Sequence, residues 1–577
     1  MSTGEIEKRG RVSDDNHDVA ICGAGLAGLT LARQLRLTLP ELSICLIDRT
    51  RGPFPDAAFK IGESTVEVAS VYLADILKLR DYFERSHLKK MGLRYFYGDA
   101  TQPPHLRPEL GLAAFPRFDA YQIDRGILEN DLRDMVRKDG VELLDGWAID
   151  DIDLADGDGS HEIRCRQVDG GAVRRIRCRW VIDAMGRRHF LQKKLNLVRR
   201  CSDKIHSSAW FRVARRIDVA DLVPQAEHRW HERVPSGLRY HSTCHFMGNG
   251  RWVWLIPLSS GCTSVGIVTD EAIHPFESYN SFERAMQWLD VHEPVLAAHL
   301  DRSEPLDFKT MRNYSFSTKR AFSHERWACV GEAAVFPDPV YSQGSDLIAI
   351  ANTVLTRLID LDVAGALTPE LVDTYDGFFL ATSEFGTKNL QFSYPFHGRD
   401  LVMACKFLWD VTTGWAFACP LLFSAYALDP AAFARVQKVK AGFAGLALGM
   451  SRLFADWATK TKQTHTFDFL DYLSLPAIKA VYERNLQRGR SVEDVVEDHR
   501  ASMHTFEELA QAIFLVAVED LHPGEMSRFE QPLWLNAWKV GLDPARWAED
   551  GLFNPTTEPR NLEDTRRQIR DCFRLTR

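Results

Sequence analysis

The first fifty residues contain a strand, a glycine-rich turn, a helix and a second strand, and this order constrains the fold more than any other feature. An apolar run at 18–22 leads into three glycines, after which apolar residues recur at helical spacing. The second apolar run, 42–47, ends at Asp48, twenty residues beyond the last glycine. The glycines are Gly23, Gly25 and Gly28. Such glycines allow a tight turn, close approach of a pyrophosphate and close helix packing. Since Asp48 can accept hydrogen bonds from a ribose, the segment predicts a parallel βαβ unit that binds a dinucleotide.

Strand patterns continue beyond this unit and change in character. Residues 162–168 and 173–180 flank a glycine turn and predict a β-hairpin. The second of these runs leads into a short strand that ends near Asp183 and Gly186. Alternating apolar residues then dominate from about 200 to 325, which is typical of an antiparallel sheet with one apolar face.

The predicted fold class is therefore α/β, with a Rossmann-type domain interleaved with an antiparallel substrate sheet. We expect the nucleotide-binding module to span 1–370, with sheet segments at about 70–120 and 200–325. Helical periodicity prevails after about 370. We expect an α-helical C-terminal extension over 371–577 that caps the substrate pocket.

Composition excludes several classes of protein. The 577 residues carry 71 Lys and Arg against 79 Asp and Glu, a formal charge of −8, so an electrostatic binder of nucleic acid is not expected. Eleven scattered cysteines without a CxxC pair indicate reduced thiols and a cytoplasmic location rather than a disulfide framework.

No targeting or transmembrane segment is predicted. Residues 1–16 are polar and charged, unlike a signal peptide. The most apolar later run, 414–428, is shorter than the roughly 20 residues that a membrane span needs. We interpret this run as a buried helix pair or a pocket wall, with contact to a membrane surface or a lipid-like substrate as the alternative.

Two later segments resemble flavoprotein monooxygenases of the p-hydroxybenzoate hydroxylase type. They are the strand end at 183–186 and the segment 331–339, which holds Glu332 and Asp338. The resemblance implies that the glycine turn binds FAD rather than NAD, and that the second segment lies along the flavin. Glu332 stands where that superfamily often has Asp. Because the sequence shows one glycine-rich turn and no second nucleotide domain, we expect reduced flavin to arrive from a separate reductase.

Three motifs narrow the resemblance to the flavin-dependent halogenases, the family of the tryptophan and phenol halogenases within that superfamily. Residues 252–257, Trp-Val-Trp-Leu-Ile-Pro, resemble the family's WxWxIP motif. Lys90 follows a Gly-Glu-Ser-Thr turn at 62–65 and lies where those enzymes carry their active-site lysine. The loop 338–344 is similar to the loop beside the flavin, where backbone amides hold chloride.

The resemblance implies a two-component, FADH2-dependent halogenase that oxidises chloride or bromide and halogenates an electron-rich aromatic ring in specialised metabolite or antibiotic biosynthesis. Lys90 would relay the halogen, and Trp252 and Trp254 would keep the organic substrate away from the flavin. Backbone N–H groups around Gln343 and Gly344 would hold the halide. The expected cofactor-binding residues are Gly23, Gly25, Gly28, Asp48, Arg125, Asp183, Gly186 and Asp338.

The chemistry of the lysine and one departure from the family refine the hypothesis. A lysine can hydrogen-bond hypohalous acid or take up the halogen as a haloamine, and the second route needs a neutral amine, which burial favours. Tyr341 stands where halogenases of free tryptophan carry a glutamate, so we expect a self-activating substrate such as a phenol or pyrrole, free or tethered to a carrier protein. Gln343 replaces a small hydroxyl residue, which leaves the halide preference open.

Two other functions fit the same residues. One is a flavin monooxygenase that hydroxylates or epoxidises without a halide step, and the other is a non-catalytic flavin-binding or carrier-docking protein. Taken alone, Lys90 is typical of a solvated lysine, and two tryptophans at i, i+2 are typical of core packing. A group of histidines and one cysteine lacks the paired spacing of metal ligands, so no metal site is predicted. These residues are His228, His231, His241, Cys244 and His245.

Overall fold

In this computed structural model the described residues form two large sheets, two short two-stranded sheets and a large helical region. The large sheets and the helical region share the main apolar core, and a second, smaller core packs on the other face of the second large sheet. The structure describes residues 14–57, 60–157, 159–201, 204–302, 305–529, 534–554 and 561–573. In chain order the strands of these residues are β1 (Asp14–Cys22), β2 (Ile44–Asp48), β3 (Leu88–Lys89), β4 (Leu93–Phe96), β5 (Glu109–Leu110), β6 (Tyr121–Gln122), β7 (Glu142–Asp145), β8 (Trp147–Asp153), β9 (His161–Gln167), β10 (Val173–Asp183), β11 (Val198–Arg199), β12 (His206–Val213), β13 (Thr243–Gly248), β14 (Arg251–Pro257), β15 (Thr263–Asp270), β16 (Asp307–Met311), β17 (Ser317–Thr318), β18 (Trp327–Cys329) and β19 (Phe469–Leu470).

The helices lie between these strands and in the C-terminal region. They are α1 (Leu26–Thr38), α2 (Glu67–Val71), α3 (Arg80–Ser86), α4 (Arg125–Lys138), α5 (Phe190–Lys194), α6 (His228–Arg233), α7 (Phe282–His292), α8 (Pro294–His299), α9 (Gly344–Val363), α10 (Pro369–Gln391), α11 (Asp400–Thr413), α12 (Cys419–Phe423), α13 (Pro430–Val439), α14 (Phe443–Lys460), α15 (Pro476–Asn485), α16 (Val492–Leu521) and α17 (Glu563–Phe573). Two single π-turns, Tyr72–Ile76 and Gly414–Ala418, continue α2 and α11.

The first sheet has the strand order β7-β2-β1-β10-β9-β8, and β18 also pairs with β10. Its strands β7, β2, β1, β10 and β18 run parallel, and apolar runs such as 19–22 are buried on both faces, as is usual for a parallel sheet. Cys22 pairs with both Ile47 and Asp183, so three strands end together at one edge of the sheet. The predicted βαβ unit and the predicted hairpin, formed by β9 and β10, are confirmed.

The second sheet has the order β16-β12-β15-β14-β13-β4-β5-β19. The five strands between 206 and 311 pair antiparallel, as predicted for that region. Two pairs of neighbouring strands are parallel, β13 with β4 and β5 with β19. Parallel strands need a long connection, and the partners in both pairs are far apart in the chain. The C-terminal region thus contributes a strand to this sheet.

The C-terminal region is helical and surrounds α16. Residues 509–518 of this 30-residue helix are all buried, as expected for a helix enclosed by others. The apolar run 414–428 forms the second π-turn and α12, and its residues Trp415 and Phe423 are buried. Gly414, Trp415, Ala418 and Cys419 line a cavity, so this run is a pocket wall. Within the described ranges, each helix is too short or too polar to cross a membrane.

Candidate active site

The glycine-rich turn connects β1 to α1 where the parallel strands end. Gly23 has a φ of +112°, and a Cβ on it would lie 2.4 Å from the carbonyl oxygen of Ala184. A Cβ on Gly28 would lie 2.0 Å from the carbonyl oxygen of Gly23, so α1 can pack on the turn only through glycine. A Cβ on Gly25 would point into open space, where the nearest atom is the Nζ of Lys60 at 3.9 Å. The free N–H groups at the start of α1 are thereby open to an anionic ligand.

A cavity opens from this turn, and we call it the glycine cavity. Gly25, Asp48, Arg125 and Gly186 are among the residues that line it. The Oδ2 of Asp48 accepts a hydrogen bond from the N–H of Ala24 at 2.6 Å, which fixes the carboxylate at the end of β2. Each carboxylate oxygen has more than one acceptor site, so Asp48 keeps acceptor capacity for a ligand in the cavity.

A second cavity adjoins the first, because Arg125 and Glu332 line both. We call it the tryptophan cavity, since Trp252 and Trp254 form part of its wall. The Nη2 of Arg125 donates to Glu129 at 2.5 Å, but its Nε is buried and has no hydrogen-bond partner in the described residues. A buried guanidinium N–H without a partner is a donor that a ligand can satisfy.

The two tryptophans are held rigidly in this wall. They face the same side of β14, with ring centroids 5.8 Å apart. The Trp254 indole lies against Gly266 of β15, where a Cβ would meet the ring at 2.1 Å. Its Nε1 donates to the Oγ of Ser264 at 3.1 Å, and the Nε1 of Trp252 donates to the hydroxyl of Tyr394 at 3.0 Å. Both indoles are therefore fixed by packing and by hydrogen bonds.

Lys90 lies in a third cavity, which we call the lysine cavity. Its side chain is buried, with 1% of the residue exposed. The Nζ donates to the Oγ of Ser64 and to the carbonyl oxygen of Thr65, each at 2.7 Å. Ser64 itself lines the tryptophan cavity, so one hydroxyl group joins Lys90 to that cavity. Five aromatic side chains also line this cavity, namely Phe118, Tyr341, Phe407, Trp415 and Tyr472.

The charge of Lys90 is set by burial and by two acids. Burial lowers the pKa of Lys90 to about 7, and the charges of Glu67 and Asp346 limit this fall. Burial, and then the charge of Glu67, raises the pKa of Asp346 to about 8. Burial likewise raises the pKa of Glu67. Near neutral pH a large share of Lys90 is thus a neutral amine, which the haloamine route requires.

The loop before α9 passes between the tryptophan and lysine cavities. Ser342 has a φ of +58° and lines the tryptophan cavity, with its Oγ 3.2 Å from the Oγ of Ser64. Gly344 also lines that cavity, whereas Gln343 lines the lysine cavity. Since α9 starts at Gly344 and has 20 residues, its first N–H groups and its dipole favour an anion at this point.

Tyr341 faces the lysine cavity and is tied to the helical region. Its hydroxyl donates to the Oδ2 of Asp410 at 2.8 Å. The Oδ1 of Asp410 accepts from Asn389 at 2.9 Å, and Lys406 donates to the Oδ2. A carboxylate therefore stands beside Tyr341, although the sequence pattern at 341 lacks one.

Three residues predicted as cofactor-binding, Gly28, Asp183 and Asp338, line none of these three cavities, and Gly28 acts by letting α1 pack on the turn. Asp183 is fully buried and accepts the N–H of Met185 in the following turn and the N–H of Leu191 in α5, both at 2.9 Å. Asp338 accepts the hydroxyl groups of Tyr314 and Tyr394 at 2.9 and 2.8 Å. The carboxylates of Asp183 and Asp338 thus position other parts of the site. Direct contact of either residue with the cofactor stays a prediction.

Four residues of the site were not predicted. Ser64 stands inside the Gly-Glu-Ser-Thr turn, and Glu67 begins α2 directly after it, so the turn itself was the available signal. Asp346 and Asp410 reach the lysine cavity from α9 and α11. Their positions depend on tertiary packing and carry no local motif.

Comparison with known protein families decides the class of the nucleotide site. The model of the FAD binding domain family matches residues 16–378, more than half of the chain. The chain belongs to the FAD binding domain family. Its glycine cradle, the two adjoining cavities and the unpartnered Nε of Arg125 fit an extended dinucleotide that carries a pyrophosphate.

Curated relatives of this FAD-binding protein include halogenases. The flavin-dependent halogenase chlA of Dictyostelium discoideum is 26% identical over 445 residues, which cover 72% of each chain. The 1H-pyrrole-2-carbonyl peptidyl-carrier-protein chlorinase of Pseudomonas fluorescens is 23% identical over 355 residues, 58% of this chain and 73% of that one. The resemblance to flavin-dependent halogenases is confirmed.

Solved structures support the same fold. The crystal structure of halogenase PltM in complex with phloroglucinol and FAD covers 89% of this chain and 98% of its own, with a TM-score of 0.60 and 16% identity. At this identity the likeness concerns the fold. The predicted α/β class with a helical C-terminal region is confirmed.

Proposed function

We propose that this FAD-binding protein is a two-component halogenase, which uses FADH2 from a separate flavin reductase to chlorinate or brominate an electron-rich ring of the phenol or pyrrole type. The observation that carries the proposal is Lys90, a buried lysine in an aromatic cavity, joined to the tryptophan cavity through the Ser64 hydroxyl. The names of the relatives support it, since they include a flavin-dependent halogenase and a pyrrole chlorinase. We assign the activity to specialised metabolism, and to the cytoplasm because all eleven cysteines are free thiols.

FAD would be held along the two adjoining cavities. The Gly23–Gly28 turn and the start of α1 would bind the pyrophosphate, and Asp48 would accept the ribose hydroxyl groups. The Nε of Arg125 would donate to the cofactor where the glycine and tryptophan cavities meet. When bound and reduced, FAD supplies with O2 the two-electron oxidising power that turns halide into an electrophilic halogen.

The tryptophan cavity would bind the halide and exclude the organic substrate. The N–H groups at the start of α9, near Gln343 and Gly344, would hold chloride or bromide. The fixed indoles of Trp252 and Trp254 occupy the space beside the flavin site that a ring would need for direct hydroxylation. A small ion or hypohalous acid can still reach the Ser64 hydroxyl.

Lys90 would transfer the halogen to the substrate. Its neutral amine attacks the halogen of hypohalous acid, an N–halogen bond forms, and water leaves. A ring carbon of the substrate in the lysine cavity then attacks the halogen, the N–halogen electron pair returns to nitrogen, and the ring proton is lost to it. Burial of the amine favours the neutral form for the first step.

Halide dependence tests this function against the monooxygenase alternative. The protein is incubated with FAD, a flavin reductase, NADH, O2, bromide and resorcinol, and the products are analysed by mass spectrometry. We expect a product with the isotope pair of bromine, formed only when bromide is present. A product that gains oxygen equally with and without bromide would show a hydroxylase, and bound flavin without any product would show a non-catalytic flavoprotein.

A further inference from the structure

The wall of the lysine cavity contains more acidic than basic side chains. Among the described residues that line it, the charged side chains are Glu67, Lys90, Asp346 and Asp410. Asp410 is already paired with Lys406, and the two side chains are 6% and 1% exposed. The cavity therefore presents Glu67 and Asp346 to a ligand, with Lys90 as the one cationic side chain in the described part of its wall.

These two acids keep capacity to accept hydrogen bonds. Glu67 is half-buried at the start of α2, and no other described side chain hydrogen-bonds to its carboxyl group. The Oδ1 of Asp346 accepts the N–H of Ala69 at 2.8 Å, and with a pKa of about 8 the group is largely a neutral carboxylic acid at pH 7, whose oxygens still have lone pairs to accept a hydroxyl group. Neither acid forms an ion pair with another described residue, since Lys90 donates to Ser64 and Thr65 instead.

We propose that Glu67 and Asp346 determine substrate specificity in this cavity, and that they select an uncharged ring with at least two hydroxyl groups over the corresponding aromatic carboxylic acid. The inference rests on the proposed function, because it assigns the substrate to this cavity. Hydroxyl groups donate to the two carboxyl groups while the ring packs on Phe118, Phe407 and Trp415.

A ligand that carries a carboxylate on the same ring should bind less favourably in this cavity. It loses its hydration inside an apolar wall, and Glu67 repels it because the charges have the same sign. The ammonium form of Lys90 is the one cationic partner that the described wall offers. An ion pair there would engage the amine that must receive the halogen.

Binding to the FAD-loaded protein tests the inference without turnover. Isothermal titration compares resorcinol with a dihydroxybenzoate of the same hydroxyl spacing. We expect resorcinol to bind at least about tenfold more tightly, since a hydrogen bond to a charged group contributes about that factor. Equal binding, or tighter binding of the benzoate, would overturn the proposal, and this comparison needs no variant.

The variant Glu67→Gln tests whether Glu67 causes the preference for resorcinol over the dihydroxybenzoate. Glutamine keeps the size and removes the charge, so we expect weaker resorcinol binding and a preference reduced to about threefold or less. Glu84→Gln, the same change at an exposed position on α3, should leave the ratio unchanged. An unchanged ratio in Glu67→Gln would overturn the role of Glu67. Bromide-dependent product is measured separately, so its absence beside a normal binding ratio would count against the proposed function alone.

Discussion

The pH dependence of halogenation reports on the charge of Lys90. An ordinary lysine with a pKa of about 10.5 is neutral in only about one molecule in 3,000 at pH 7. The buried Lys90 has a pKa of about 7, so about half of the molecules carry the neutral amine at that pH, an increase of about a thousandfold. The haloamine route therefore predicts a rate that is low in acid, rises through about pH 7 and then levels off.

The assay follows brominated resorcinol with saturating flavin reductase between about pH 5.5 and 8.5, where the phenol keeps its proton. Glu67→Gln removes a charge that holds the pKa of Lys90 up, so the midpoint should move to lower pH, whereas Glu84→Gln should leave it in place. A rate that is flat across this range, or that falls as pH rises through 7, would refute the requirement for a neutral amine.

Three further substitutions test other parts of the site. Gly28→Ala brings a Cβ within 2.0 Å of the Gly23 carbonyl and should weaken FAD binding by at least about tenfold in fluorescence titration, whereas Gly449→Ala, which meets no atom within 4 Å, should not. Ser64→Ala removes one of the two Lys90 acceptors and should lower the halogenation rate about tenfold at unchanged FAD affinity; an unchanged rate would count against that hydroxyl. Tyr341→Phe removes the hydroxyl that donates to Asp410 at 2.8 Å in the wall of the lysine cavity, where we propose that the substrate binds. It should raise the KM for resorcinol severalfold more than it changes kcat, whereas a loss in kcat without a change in KM would contradict this placement of the substrate.

Local motifs predicted the cofactor side of the molecule well. The strand, the three glycines and Asp48 are close in sequence, so their spacing alone places them at one edge of the sheet. Trp252 and Trp254 were predicted from a motif, and the strand period explains why both face one cavity. Asp338 belonged to a motif as well; its carboxylate holds the hydroxyl of Tyr394, and its contact with the cofactor stays a prediction.

Several residues of the lysine cavity could not be predicted from the sequence, because only tertiary packing brings them together. Asp346 and Asp410 lie on α9 and α11, and they line the same cavity as Lys90 only because the tertiary fold brings these helices together there. The pKa of Lys90 likewise depends on burial by residues far away in the chain. Residues 414–428 were too ambiguous in sequence to distinguish a pocket wall from a membrane-contacting surface, and the contacts of Trp415 decide for the wall.

The central claim is that Lys90 transfers the halogen, and the comparison of Lys90→Met with Lys89→Met tests it most directly. Both variants replace a lysine with an unbranched neutral side chain, but Lys90 is buried in the cavity and Lys89 is exposed beside Asp119. The measurement is the amount of brominated resorcinol per NADH oxidised, with FAD binding verified for each protein. We predict that Lys89→Met retains the wild-type yield and that Lys90→Met binds FAD and consumes NADH without brominated product. Brominated product from Lys90→Met at the wild-type yield would contradict the account.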